Sequence, residues 1–177
     1  MITYNLVTRI ADDKEFLEPI FRCIGRIRKD IGRVRLNIIG GVHDEKVFNR
    51  WANRAVELDI SDSVFFTKKS IRYDDMDKEI LNGYFLTLSI GSFIGYSAIE
   101  AIGLGLKTII VNINPELSDP TINEISFCDS IEDLYRLTRM ISQNPEKIEI
   151  EILKENDQRK RSFFLNAEES NQLIGMF

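Results

Sequence analysis

Apolar residues along this chain follow two alternating rhythms: short β-branched runs, and longer stretches in which they recur every three or four residues. Residues 2–8 form the first short run. Asp12 and Asp13 then offer helix caps to a stretch that places Phe16, Leu17, Ile20, Phe21, Ile24 and Ile27 on one helical face. A second run, 34–39, closes on Gly40-Gly41, and a second helix over 44–58 gathers Val47, Trp51, Ala55 and Leu58 on one side. The order continues with a strand at 64–67, a short helix opened by acidic residues at 73–81, and a strand at 84–90. A helix at 96–104 and a strand at 108–113 follow. Beyond them, 122–127 reads as one more short strand and 131–142 as a helix begun by Ser130. Pro145 parts that helix from a charged helical stretch, and 162–177 is less periodic.

Strands alternating with helices at this interval predict an α/β fold, a Rossmann-like parallel sheet with helices on both faces. Ligands of such sheets bind outside the carboxyl ends of the strands. Here those ends carry Thr8-Arg9, Gly40-Gly41, Thr67-Lys68 and residues 89–95 and 112–116. A length of 177 residues with 44% hydrophobic content suits one core, read as a domain over 1–145 with a helical segment over 146–177.

Charge narrows the partners. A net charge of −5 gives no global attraction for nucleic acid or an anionic membrane, so an anion must be held locally. Cys23 and Cys128 stand far apart and His43 is the single histidine, so no zinc site of nitrogen and sulfur ligands assembles and reduced thiols are expected. No leader-like start and no run near 20 apolar residues is present, which predicts a soluble, cytoplasmic chain. A peripheral contact at the inner face of the membrane, through a further domain, stays open.

Candidate chemistry collects in "IGSFIGYSAIEAIGLGLKTIIV", residues 90–111. The turn delivers a strand into a helix whose first free N–H groups belong to about Gly95, Tyr96 and Ser97, a start that attracts phosphate. An ordinary glycine turn would read the same way. Glu100, one turn on among apolar neighbours, can accept two hydrogen bonds from a vicinal diol such as a ribose; alternatively it faces water or a neighbouring loop. Arg9 after the first strand and Lys14 five residues on could flank a diphosphate as fork and point charge, although each alone reads as a surface cation.

"SFIGYSAIEAIGLGLKTII" resembles the E-G-F-G-x-S-x-x-E-A-x-A-x-G-x-P-V-I segment of retaining glycosyltransferases of the GT-B fold, the group with an E-x7-E signature. "VTRIADDK" is similar to its Gly-Arg-x-x-x-x-Lys, "VRLNIIGG" to its strand ending in glycine, "ISDSVFFTK" to its Val-x-Phe-x-Gly, and "YFLTLSIGS" to its strand ending in Pro-Ser. The matches keep the family's order from about residue 4 to residue 113 and cover the C-terminal, nucleotide-sugar-binding half of such an enzyme. The resemblance implies that Glu100 bonds the donor ribose, that Arg9 and Lys14 form the cationic pair at the diphosphate, and that Gly95, Tyr96 and Ser97 cradle it. Gly40 falls on the family's strand-terminal glycine. It further implies a nucleoside-diphosphate sugar as donor with no metal and no cofactor, and a glycan, lipid or protein acceptor on a missing N-terminal domain. The segment 146–177 would pack on this domain or on that missing one.

Three positions depart from the pattern. Ser92 replaces the first glutamate, which in the family contacts the transferred sugar, and a hydroxyl cannot match a carboxylate as acceptor. Lys68 stands at a glycine whose backbone lies near the base, where it would crowd the base or extend into solvent. Lys107 replaces a proline. Asp75-Met76-Asp77 reads as the acidic opening of a helix rather than a metal site, and His43 as a solvated turn residue. Arg159-Lys160-Arg161, with Phe163, Phe164 and Leu165 after it, reads as a helix end packing on a partner domain or touching an anionic membrane.

Overall fold

The computed structural model describes residues 1–11, 17–91, 94–119 and 121–164. Strands β1 (Ile2–Val7), β2 (Val34–Ile39), β3 (Val64–Phe66), β4 (Tyr84–Ser89), β5 (Thr108–Asn112) and β6 (Phe127–Cys128) form one six-stranded parallel sheet in the order β3-β2-β1-β4-β5-β6. Helices α1 (Leu17–Asp30), α2 (Glu45–Glu57), α3 (Lys78–Leu81), α4 (Tyr96–Gly103), α5 (Ile131–Gln143) and α6 (Pro145–Phe163) surround it. The caps read at Asp12 and Asp13 lie outside the described residues.

The two-residue period of the strands divides the core. On one face, Tyr4, Leu6, Leu36, Ile38 and Leu86 pack against Ile20, Phe21 and Ile24 of α1, Trp51 and Ala55 of α2 and Leu134 of α5. Burying each of the leucine, isoleucine and phenylalanine side chains contributes about 1.5–3 kcal/mol. On the other face a smaller cluster joins Ile39, Tyr73, Met76, Phe85 and Ala101. Between them on that face, Asn37 donates to Asn5 Oδ1 at 2.8 Å and Asn5 donates to the Ile80 carbonyl at 2.6 Å, which pins α3 to the sheet. Asp44 caps α2 by accepting from the Lys46 and Val47 N–H groups at 2.7 and 3.3 Å, and Ser130 caps α5 by accepting from Asp133 N–H at 3.2 Å.

Two expected elements differ. The helix expected at 73–81 is a 3₁₀ turn over Tyr73–Asp75 followed by the single-turn α3, because Met76 turns into the second cluster and its backbone, with that of Asp77, is extended. The strand expected at 122–127 shrinks to Phe127–Cys128. Upstream of it the Glu155 carboxylate accepts from the Ile125 and Ser126 N–H groups at 2.9 and 2.8 Å, so a side chain of α6 takes the place of a neighbouring strand.

Two of the three basic residues of the run in α6, Arg159 and Lys160, are used inside the fold, while Arg161 stays exposed. Arg159 is buried and donates to Ser126 Oγ at 2.6 Å, to Asn156 Oδ1 at 3.1 Å and to Glu124. Lys160 donates to the Gly103 carbonyl at 2.7 Å, and the Phe164 ring packs so closely that a Cβ on Gly103 would lie 2.8 Å from it. Lys107 reaches α6 as well, 3.2 Å from Glu149. Together these contacts seat α6 on α5, α4 and β5. Arg159→Met should therefore lower stability by about 2 kcal/mol, the scale of hydrogen bonds to a charged group. Arg161→Met, which removes only an exposed pair with Asp157, should change it by less than about 0.5 kcal/mol. Equal shifts in urea unfolding midpoint for the two variants would contradict this account.

Candidate functional site

The strand order reverses between β1 and β4, and in open α/β sheets the crevice at such a reversal receives the ligand. A cavity of about 200 Å³ lies there, between the carboxyl ends of the two strands, lined by Val7, Thr8, Leu88, Gly95 and Ser97 among others. A second, of about 370 Å³, includes Val7, Ser70, Tyr73, Glu100 and Leu104 in its lining. The two share Val7, and the first turns of α4 furnish residues to both. A larger hollow of about 600 Å³ opens at the opposite edge, by Met1, Arg33, Asn82 and the Lys107–Glu149 pair. It sits at the amino ends of the strands, away from the reversal.

Gly95 caps α4 with extended backbone and no side-chain bond. The N–H groups of Ala98 and Ile99 both bond its carbonyl, at 3.0 and 3.2 Å. Those of Gly95, Tyr96 and Ser97 find no acceptor among the described residues, and a Cβ on Gly95 would meet nothing within 4 Å. An open ring of donors with the positive end of a helix dipole behind it is suited to an anion. The Tyr96 side chain is exposed beside it. One turn on, the Glu100 carboxylate is exposed to the larger cavity and no hydrogen bond of the described residues ends on it.

Tyr73 lines the second cavity, reaches Ser97 of the first, and is not legible in the sequence as a site residue. Its hydroxyl donates to the Ser97 carbonyl at 3.2 Å and its ring stacks tilted on Phe85, 5.7 Å between centroids. Burial, with the Glu100 charge adding, pushes the phenol up to about 12, so it stays a neutral donor that steadies the first turn of α4. In the sequence it is one more aromatic at core spacing.

Arg9 is exposed directly after β1, on backbone fixed by Thr8 N–H to the Ile39 carbonyl at 3.0 Å and Ile10 N–H to the Gly41 carbonyl at 2.9 Å. Gly40 makes that exit possible, since a Cβ there would fall 1.9 Å from the Thr8 carbonyl oxygen. Lys68 takes the left-handed backbone, φ +58°, that glycine adopts most readily, and its Nζ sits 4.2 Å from the Phe48 ring centroid. It thus folds back over α2, neither over the cavity nor straight into solvent. Lys14 and Ser92 lie outside the described residues. The turn leading to position 92 is anchored: Gly91, at φ +62°, donates its N–H to Asn112 Oδ1 at 2.9 Å, and Asn112 donates to Asp129 at 3.1 Å. The Ser118 hydroxyl, then the Asn112 amide and the Asp119 N–H, hold the Asp129 carboxyl below its usual range. Asp75 and Asp77 stand exposed on either side of buried Met76, and the described residues bring no group of three or more His, Cys, Asp or Glu together as metal ligands.

Solved structures share this fold. Sucrose-phosphate synthase from Thermosynechococcus elongatus matches with a TM-score of 0.66 and 18% identity over 99% of this chain and 44% of its own. HepE from Anabaena, solved in complex with UDP, matches at 0.65 and 13% identity over 98% of this chain and 49% of its own. The catalytic domain of cholesterol-α-glucosyltransferase from Helicobacter pylori matches at 0.54 and 18% identity over 88% of this chain and 98% of its own. No protein-family model matches the sequence, and no curated protein does. The chain therefore has the Rossmann-like half of the GT-B glycosyltransferase architecture, and spans about half the length of the first two of these proteins. Among the described residues no helix is long and apolar enough to cross a membrane.

Proposed function

We propose that this chain is the donor-binding half of a retaining GT-B glycosyltransferase, taking a nucleoside-diphosphate sugar at the β1/β4 crevice. One observation carries the reading: the N–H groups of Gly95, Tyr96 and Ser97 and the Glu100 carboxylate, none with a hydrogen-bond partner among the described residues, sit a turn apart at the start of one helix, Gly95 and Ser97 lining one of two adjoining cavities and Glu100 the other. The spacing suits a diphosphate at the helix start and a ribose at the carboxylate. Arg9, with Lys14, neutralises the departing diphosphate, so no metal is needed, and the sugar passes to an acceptor hydroxyl with its anomeric configuration kept. The acceptor, a glycan, lipid or protein, is held by an N-terminal domain, and the isolated domain binds without turnover. The setting is cytoplasmic, at or near the inner face of the membrane.

Titration calorimetry with UDP, GDP and ADP, with and without EDTA, tests this. Binding of at least one diphosphate, undiminished by EDTA, is expected. Failure of all three overturns the reading, and loss of binding in EDTA overturns its metal-free form.

Ser92 favours a second reading, a non-catalytic subunit that stabilises a partner glycosyltransferase, because the carboxylate expected at the transferred sugar is absent there. The retained Arg9, Lys14 and Glu100 favour the enzyme. Sugar transfer by the full-length protein from a panel of nucleotide sugars is expected; complete inactivity with stable association to an active glycosyltransferase would establish the second reading.

A further inference from the structure

The cavity that holds Glu100 also carries a pair of opposite charges, with Arg72 Nη2 3.6 Å from Asp74 Oδ2. The 3₁₀ turn sets their backbone, with Asp75 N–H bonding the Arg72 carbonyl at 3.0 Å and Met76 N–H the Tyr73 carbonyl at 3.1 Å. Val7, Ile71 and Leu104 supply apolar wall to the same cavity. Apolar walls suit the faces of a nucleobase, and a polar pair beside them suits its edge.

The edge that matches this pair is specific. A carboxylate offers two acceptors and a guanidinium only donors. Guanine presents O6 as acceptor, then N1–H and the N2 amino group as adjacent donors, so the two oxygens of Asp74 accept from N1 and N2 while Arg72 donates to O6. Uracil presents acceptor, donor, acceptor, which sets its O2 against a carboxylate oxygen. Adenine has a lone pair at N1 where the carboxylate needs a donor. Cytosine engages the guanidinium fork and leaves one carboxylate oxygen unused.

We propose that the nucleotide taken by this site is a guanine nucleotide, its base read by Asp74 together with Arg72; this rests on the donor-binding reading above and names the donor's base. The experiment is titration of the chain with GDP, IDP, UDP, ADP and CDP, IDP being the analogue of GDP whose base lacks the N2 amino group. GDP should bind tighter than UDP by about tenfold or more, the discrimination of a good bidentate contact. GDP should also bind tighter than IDP, and Asp74→Ala should erase that difference and narrow the gap between GDP and UDP. Asp74 is exposed, so the variant is expected to fold, which circular dichroism checks. UDP, ADP or CDP binding as tightly as GDP, or a GDP-to-IDP ratio untouched by Asp74→Ala, would overturn the guanine assignment and leave the donor site standing. Failure of all five nucleotides would remove both.

Discussion

Replacing Gly40 with alanine should lower stability by about 3 kcal/mol or more, at or beyond the upper end of what an overpacked core methyl does. For a chain of this size that is a fall in melting temperature of roughly 6–12 °C. The added carbon would lie 1.9 Å from the Thr8 carbonyl oxygen and 2.6 Å from its carbon, and both are backbone atoms. No rotamer change relieves such a clash; β1 must move away from β2 where the Thr8 N–H bonds the Ile39 carbonyl at 3.0 Å. The Gly40 N–H would move with it, away from Thr67 Oγ1 at 3.1 Å. Since Arg9 leaves the sheet at that point, anion binding should weaken in parallel. Gly41→Ala is the internal control, because a Cβ there meets the His43 ring and Ser70 hydroxyl at ordinary contact distances of 3.6–3.8 Å. Thermal unfolding of the two variants should separate clearly, and a Gly40→Ala protein that melts with the wild type would show that the strand exit is not held as described.

Strands β1 to β5, four of the helices and the position of the crevice were legible because their signal is local. A buried parallel strand is a β-branched run, an amphipathic helix keeps its period, and Asp44 and Ser130 announce their helices within three residues. What escaped depends on atoms brought together from far along the chain. Nothing near Met76 says that it must leave a helical path to reach Phe85 and Ala101. Nothing near 125–126 says that Glu155, thirty residues on, will accept their N–H groups. Arg159 and Lys160 look solvated because their acceptors, Ser126 Oγ and the Gly103 carbonyl, lie 33 and 57 residues away. Glu100 could be picked out as a carboxylate among apolar neighbours, whereas Tyr73 could not, since an aromatic at core spacing carries no mark of the helix turn it will support.

Glu100→Gln should weaken nucleoside-diphosphate binding by about 1.5–3 kcal/mol, or roughly ten- to a hundredfold, while leaving the melting temperature unchanged. The amide keeps the shape and one acceptor but loses the charge that strengthens both bonds to a diol. Stability should hold because no hydrogen bond of the described residues ends on this carboxylate and glutamine matches glutamate in helix propensity. The loss can be assigned to the ribose by a double cycle. The 2′-deoxynucleoside diphosphate should bind the wild type more weakly than the ribose form, and in Glu100→Gln that penalty should largely disappear, since both changes remove the same contact. A deoxy penalty of equal size in the two proteins would mean that Glu100 and the ribose do not touch. Unchanged affinity with a lowered melting temperature would make Glu100 a structural residue of α4.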